Sequence, residues 1–126
     1  MFKGFILSES LKNPEVLNRL DHIYVKVEHH PEFLEEPKIW HDFKVRVADK
    51  DIKKVSNLLA KQMKQTWYAH FWDKKSVYVI LPKKVFKIPL EKKWTSKEYL
   101  RLKRYAVRNG VEEQYLNFWI QKEDKI

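Results

Sequence analysis

Apolar residues gather at the start of the chain, from Phe2 to Leu7, in a run of strand length that Ser8, Glu9 and Ser10 interrupt. Residues 13–20 read as a short helix. Asn13 is a good N-cap, Pro14 takes the first helical position where its missing N–H costs nothing, and Val16, Leu17 and Leu20 share a face. From His22 to Glu28 the period becomes two, with Ile23, Val25 and Val27 on one side, which predicts a half-buried strand. Pro31, Pro37 and the carboxylates of Glu28, Glu32, Glu35 and Glu36 make the following stretch a polar connection. Alternation returns from Ile39 to Val47: Ile39, His41, Phe43, Val45 and Val47 point one way, Trp40, Asp42, Lys44 and Arg46 the other. The two strands form a hairpin with a long loop.

Residues 49–65 carry the clearest helical period, with Ile52, Val55, Leu58, Leu59 and Met63 on one stripe and Asp49 as the expected N-cap. The aromatic stretch 66–72 and the run 76–81 flank Asp73-Lys74-Lys75 and read as a hairpin; residues 83–88 extend or repeat its second strand beyond Pro82. Thr95 or Ser96 caps a basic helix reaching Asn109, with Gly110 just past its end. Residues 115–121 read as a last strand, with short helix as the alternative, and residues 122–126 as a fraying tail.

This order predicts one α+β domain spanning residues 1–126: a ferredoxin-like split β-α-β antiparallel sheet, helices on one face, with a C-terminal hairpin and helix extension. Only Gly4 and Gly110 are glycines, and neither has a second glycine nearby, so phosphate-cradling glycine-rich turns are excluded. The chain has no cysteine, which excludes disulfides, thiolate metal sites and a cysteine nucleophile, and suits a cytoplasmic location. No run reaches the ~20 apolar residues of a membrane span, so no membrane partner is expected. The serines lack the glycine elbow of a serine nucleophile. No cofactor is signalled.

Charge changes the picture by its distribution. The net charge is +9, yet from Lys50 to Arg108 there are 17 basic and four acidic residues, so the remaining segments are net acidic. On the basic helix Lys97, Arg101, Arg104 and Arg108 recur at helical spacing along one stripe, with Lys83, Lys84, Lys87, Lys92 and Lys93 upstream. Such a stripe can follow phosphates, and aromatic rings such as Trp94, Tyr78 or Trp40 would supply stacking for single-stranded RNA. The competing interpretation is a solvated helix face; no RNA-binding consensus motif is present.

Two further constellations bear on chemistry. His29, His30 and His41, with the neighbouring carboxylates, are of the right types for a divalent metal, but their spacing matches no defined metal motif, so no metal site is expected and the segment reads as a solvated loop. Tyr68, His70 and Trp72 share one face of an aromatic strand. A half-buried His70 between two rings is the candidate catalytic base or ligand-stacking residue; the competing role is a structural histidine tied to a backbone carbonyl.

The segments Trp67-Tyr68-Ala69-His70-Phe71, Val77-Tyr78-Val79-Ile80 and Val85-Phe86-Lys87, with the opening Lys3-Gly4-Phe5-Ile6-Leu7-Ser8-Glu9-Ser10-Leu11 and the Gly110-Val111 ending, resemble a family of small prokaryotic α+β proteins without an assigned activity. The resemblance spans most of the chain. It departs at His70, where the pattern has an acidic residue, and it implies a shared fold without a mechanism.

Three functional expectations follow. The first is a binding module whose basic helix face meets an anionic partner, RNA foremost. The second is a small-ligand or enzymatic pocket around His70, completed by a neighbouring subunit in a homodimer. The third is an interaction module that dimerises through its surplus aromatic residues.

Overall fold

The computed structural model describes residues 1–91 and 94–116. Strand β1 (Phe2–Leu7) leads through a 3-10 turn at Ser8–Ser10 and a 3-10 helix at Pro14–Arg19 to β2 (Asp21–His29) and β3 (Ile39–Val47). Helix α1 (Ile52–Gln62) follows, then β4 (Ala69–Trp72), β5 (Ser76–Leu81), β6 (Lys84–Pro89) and helix α2 (Lys97–Arg108). The six strands form one antiparallel sheet in the order β2-β3-β1-β4-β5-β6. The chain is therefore an α+β protein. Among the described residues no helix is long and apolar enough to cross a membrane.

Alternation along the strands builds two cores. On one face Phe2, Ile6, Val45, Phe71 and Ile80 meet Ile52, Leu59 and Ala60 of α1 and Val16 and Leu17 of the 3-10 helix. On the other, Trp72, Val77, Val79, Leu81, Phe86 and Ile88 meet Tyr99, Leu102 and Ala106 of α2. Strands β4 and β5 are buried on both sides, which explains why they read as continuous apolar runs. Burying a side chain such as Leu59 or Leu102 completely contributes about 1.5–3 kcal/mol. Gly4 is required where β1 crosses β4: a Cβ there would lie 2.2 Å from the Phe71 ring and 2.5 Å from the His70 carbonyl oxygen.

Several expectations need correction. The helices do not share a face, because α2 follows a hairpin that carries the chain to the far edge of the sheet and packs on the side opposite α1. The first helix is a six-residue 3-10 segment rather than an α-helix, although Asn13 caps it as expected, its side chain accepting from the Glu15 N–H at 3.1 Å. Ile23, Val25 and Val27 do not form one half-buried face: a bulge between His22 and Tyr24 shifts the register, and Val25 and Val27 stand 45% and 64% exposed on the edge strand. Asp49 does not cap α1; it opens a 3-10 turn, and its carboxylate pairs with the amino terminus. Residues 83–88 are a separate strand, β6, reached through a turn in which Lys83 has φ 66°. Tyr115 lies in a 3-10 turn, and residues 117–121 of the expected last strand lie outside the described residues, as do Lys92 and Lys93.

Candidate functional sites

Helix α2 is capped by Ser96, whose Oγ accepts from the Tyr99 N–H at 3.1 Å, and stops where Gly110 takes φ +89°. Its apolar stripe, Tyr99, Leu102 and Ala106, is pinned to β5 and β6, so the opposite stripe must face outward. Arg101, Arg104 and Arg108 of that stripe meet Lys84 of β6 around a groove of about 460 Å³ in which Glu98 is the single carboxylate among the described lining residues; Lys87 borders the groove, but its ammonium is turned to the other face of the sheet, 5.8 Å from the centre of the Tyr78 ring. Lys84 is held over the rings of Phe86 and Tyr105, at 5.3 and 5.5 Å from their centroids, and the Tyr105 hydroxyl donates to the Pro82 carbonyl at 2.5 Å.

Not every basic candidate joins this groove. Lys97 continues the helix stripe one turn beyond it, and Lys83, in the turn before β6, is outside its lining. The aromatic candidates divide as well. Tyr78 is buried edge-on against Phe2, with ring centroids 5.3 Å apart, and Trp40 lies at the other end of the sheet. Trp94 is 45% exposed and meets the Tyr99 ring edge-on, outside the groove lining.

A second and larger groove, about 990 Å³, opens over β1 and β3 on the α2 side, where the helix does not cover the sheet. Tyr68 and His70 line it; Trp72 does not, being buried beside Phe5 and stacked on His70 at 5.5 Å. The Tyr68 hydroxyl donates to the Tyr115 carbonyl, which ties the segment after α2 to the groove wall.

The β2–β3 loop supplies the opposite wall. The Trp40 indole donates to the Pro37 carbonyl at 2.8 Å and its ring lies on His30, 3.9 Å between centroids, with Phe33 stacked at 5.2 Å and Trp67 edge-on at 5.3 Å. The His30 imidazole reaches Glu32 at 3.0 Å and Glu28 at 3.5 Å. Partial burial works against its protonation, but the hydrogen bonds to Glu32 and Glu28 and their charges prevail, so its pKa is raised. His41 is bound to Glu9, which accepts from both the His41 backbone N–H and its Nδ1 at 2.7 Å. Burial alone would raise the Glu9 pKa; the two His41 bonds lower it overall. His29 is exposed on the edge strand. Among the described residues no three His, Asp or Glu side chains gather as metal ligands.

The sequence groups Asp42 with His41 only as one of the carboxylates near the histidines weighed for a metal. Asp42 lies on the groove floor beside Trp40, across from Leu7 of β1 and Lys26 of β2, and its Oδ1 is buried with no hydrogen-bond partner. Desolvation, reinforced by the charges of Glu28 and Glu9 and opposed by Lys26, pushes its pKa up to about 6. Two residues on, Lys44 is wholly buried between the rings of Phe5 and Tyr24, at 5.9 and 5.7 Å, and burial, then the charge of Lys3, lowers its pKa. One sequence signal for both was available: Asp42 and Lys44 alternate with Trp40 on the face that β1 continues with Phe5 and Leu7.

No protein-family profile, no curated protein and no solved structure matches this chain, so the site stands on its own geometry.

Proposed function

We propose that this chain is a binding module for a polyanion, RNA foremost, and that the groove between β6 and α2 is its working surface. The convergence of Lys84, Arg101, Arg104 and Arg108 on one groove with a single carboxylate among its described lining residues carries this reading. The stripe from Lys97 to Arg108 extends about 16 Å at 1.5 Å per residue, long enough to pass several successive phosphates. Arginine forks suit phosphate oxygens, and their stems are set by a helix fixed to the sheet. The rings lining the groove are already occupied, Phe86 by burial and Tyr105 by Lys84 and Pro82, so backbone contact rather than base stacking dominates the interaction.

We further read the first four strands as a ferredoxin-like split β-α-β. The order β2-β3-β1-β4 and the placement of the 3-10 helix and α1 on one face support this, with the first crossover helix reduced to a 3-10 segment. The β5–β6 hairpin and α2 are then the extension that supplies the basic groove.

A fluorescence-anisotropy titration with single- and double-stranded RNA tests the function. Binding is expected at low salt, with a fall of about fiftyfold between 50 and 200 mM if all four cations engage a single strand. The Arg101→Ala/Arg104→Ala/Arg108→Ala variant, altered only at exposed positions of α2, is expected to lose most of this binding while keeping its thermal midpoint. Absence of binding at low salt, or equal binding by the variant, would overturn the proposal.

A further inference from the structure

The large groove over β1 and β3 has chemistry opposite to that of the anion groove, and the phosphate reading makes no use of it. Among the described residues, seven carboxylates line it against one lysine, Lys64, although the chain as a whole carries +9. Most of these carboxylates have partners: Glu9 serves His41, Glu28 and Glu32 hold His30, and Glu36 accepts the Lys38 N–H at 3.2 Å. Asp42 differs. Its Oδ1 has no donor among the described residues, and Lys26, the cation directly across from it, lies 3.6 Å from a Glu28 oxygen.

The surroundings of Asp42 are apolar and aromatic. Trp40 stands next to it on the same face of β3, Leu7 lies opposite, and Phe5 is diagonal across the β1–β3 ladder. Trp40 is packed against Phe33, His30 and Trp67, of which Phe33 and Trp67 line the groove with it. Gly110 and Val111, which follow the C-terminal end of α2, also line the groove and bring the negative end of that helix dipole towards it. An orphan carboxylate oxygen, aromatic faces and a helix C-terminus all favour the same occupant, a cation with an apolar body.

We propose that this groove binds a small organic ammonium ion that still carries N–H, its nitrogen donating to the Asp42 carboxylate where that side chain lines the groove and its apolar body lying against Trp40 and Phe5. An inorganic cation fits less well, because among the described residues no third ligating side chain joins at metal distance and the walls are rings. The volume of about 990 Å³ falls at the upper end of small-molecule sites. Because the residues involved are separate from β6 and the exposed stripe of α2, this site and the anion groove stand or fall independently.

The test is a titration of the full chain with benzylammonium and, in parallel, with benzyl alcohol, its neutral counterpart of nearly equal shape, followed by NMR of the tryptophan indole N–H signals. Benzylammonium is expected to bind about tenfold tighter or more than the alcohol, the difference one charge-assisted hydrogen bond makes. Asp42→Asn is expected to erase that difference, and Trp40→Leu to weaken both ligands. A thermal midpoint for Asp42→Asn no lower than that of the parent separates loss of the counter-charge from loss of the fold. Equal affinity for amine and alcohol, no saturable binding of the amine, or unchanged preference in folded Asp42→Asn would each overturn the proposal.

Discussion

Among the described residues, four cations converge on a groove with one carboxylate at the β6–α2 end of the sheet, whereas over β1 and β3 seven carboxylates surround a groove with one lysine. The first is built from exposed side-chain tips on one helix and one edge strand. Its charges remain hydrated, so it acts at a distance and is screened by salt. The second is assembled from the ends of β1 and β3, the β2–β3 loop, the approach to β4 and the segment after α2. Its central carboxylate is partly desolvated, so it acts only on what enters. Both ends share one sheet, and their chemistry differs because of where water reaches.

The largest expected effect is on that shared sheet. Gly4→Ala would drive a methyl group into the Phe71 ring and the His70 carbonyl, and because β4 is paired on both sides the backbone has little room to yield. A loss of about 3 kcal/mol or more is expected, visible as a lowered thermal midpoint, with both grooves impaired together. Retention of full stability would show that β1 and β4 are not packed as described.

Next comes the anion groove alone. Removing Arg101, Arg104 and Arg108 should make the salt dependence of RNA affinity shallower by about two logarithmic units per decade of salt, because each lost phosphate contact releases fewer counterions. Salt titrations of both forms check this, and an unchanged slope would place the interaction elsewhere.

A smaller effect belongs to Asp42. Its folded pKa, about 6, lies above the ordinary value of 3.8, so the folded state holds the extra proton and stability declines as pH rises through that window. Above it the ionised carboxylate costs about 1 kcal/mol after allowance for solvent screening, since the group is not fully buried. Asp42→Asn should therefore be more stable than the parent at neutral pH and indistinguishable from it near pH 4, as denaturant titrations at the two pH values would show. Destabilisation at neutral pH would mean that the carboxylate has an internal partner.

The smallest concerns the β2–β3 loop. The raised pKa of His30 means that its bonds to Glu28 and Glu32 contribute fully below the unfolded value of 6.5 and fade as pH rises through the folded value. Amide exchange in residues 30–38 should accelerate from slightly acidic to alkaline pH beyond the intrinsic rate change, and Glu32→Gln should flatten that response.

What could be read in advance follows the same division. The strands, α1, the Ser96 cap and the arginine stripe of α2 each depend on local periodicity, and local periodicity survives folding. Lys84 joins that stripe only through the β5–β6 turn, so its pairing with it needed the topology. The acidic groove was less legible because Leu7, Glu28 and Trp67 lie on different elements, and only the ladder register brings the first two near Asp42. The bulge at His22/Tyr24 turned an alternating apolar pattern into an exposed edge, a shift of register that periodicity alone does not encode. The six residues from Pro14 to Arg19 follow a good cap but carry only one turn or two of apolar stripe, too little to sustain an α-helix.

The most direct test of the anion groove is amide NMR of the whole chain titrated with a short single-stranded RNA at low salt. Shifts concentrated in Lys84–Pro89 and Lys97–Arg108, reversed by added salt and absent around Trp40 and Asp42, are the predicted result. Shifts centred on the acidic groove, or none at all, would contradict the assignment of the β6–α2 face as the working surface.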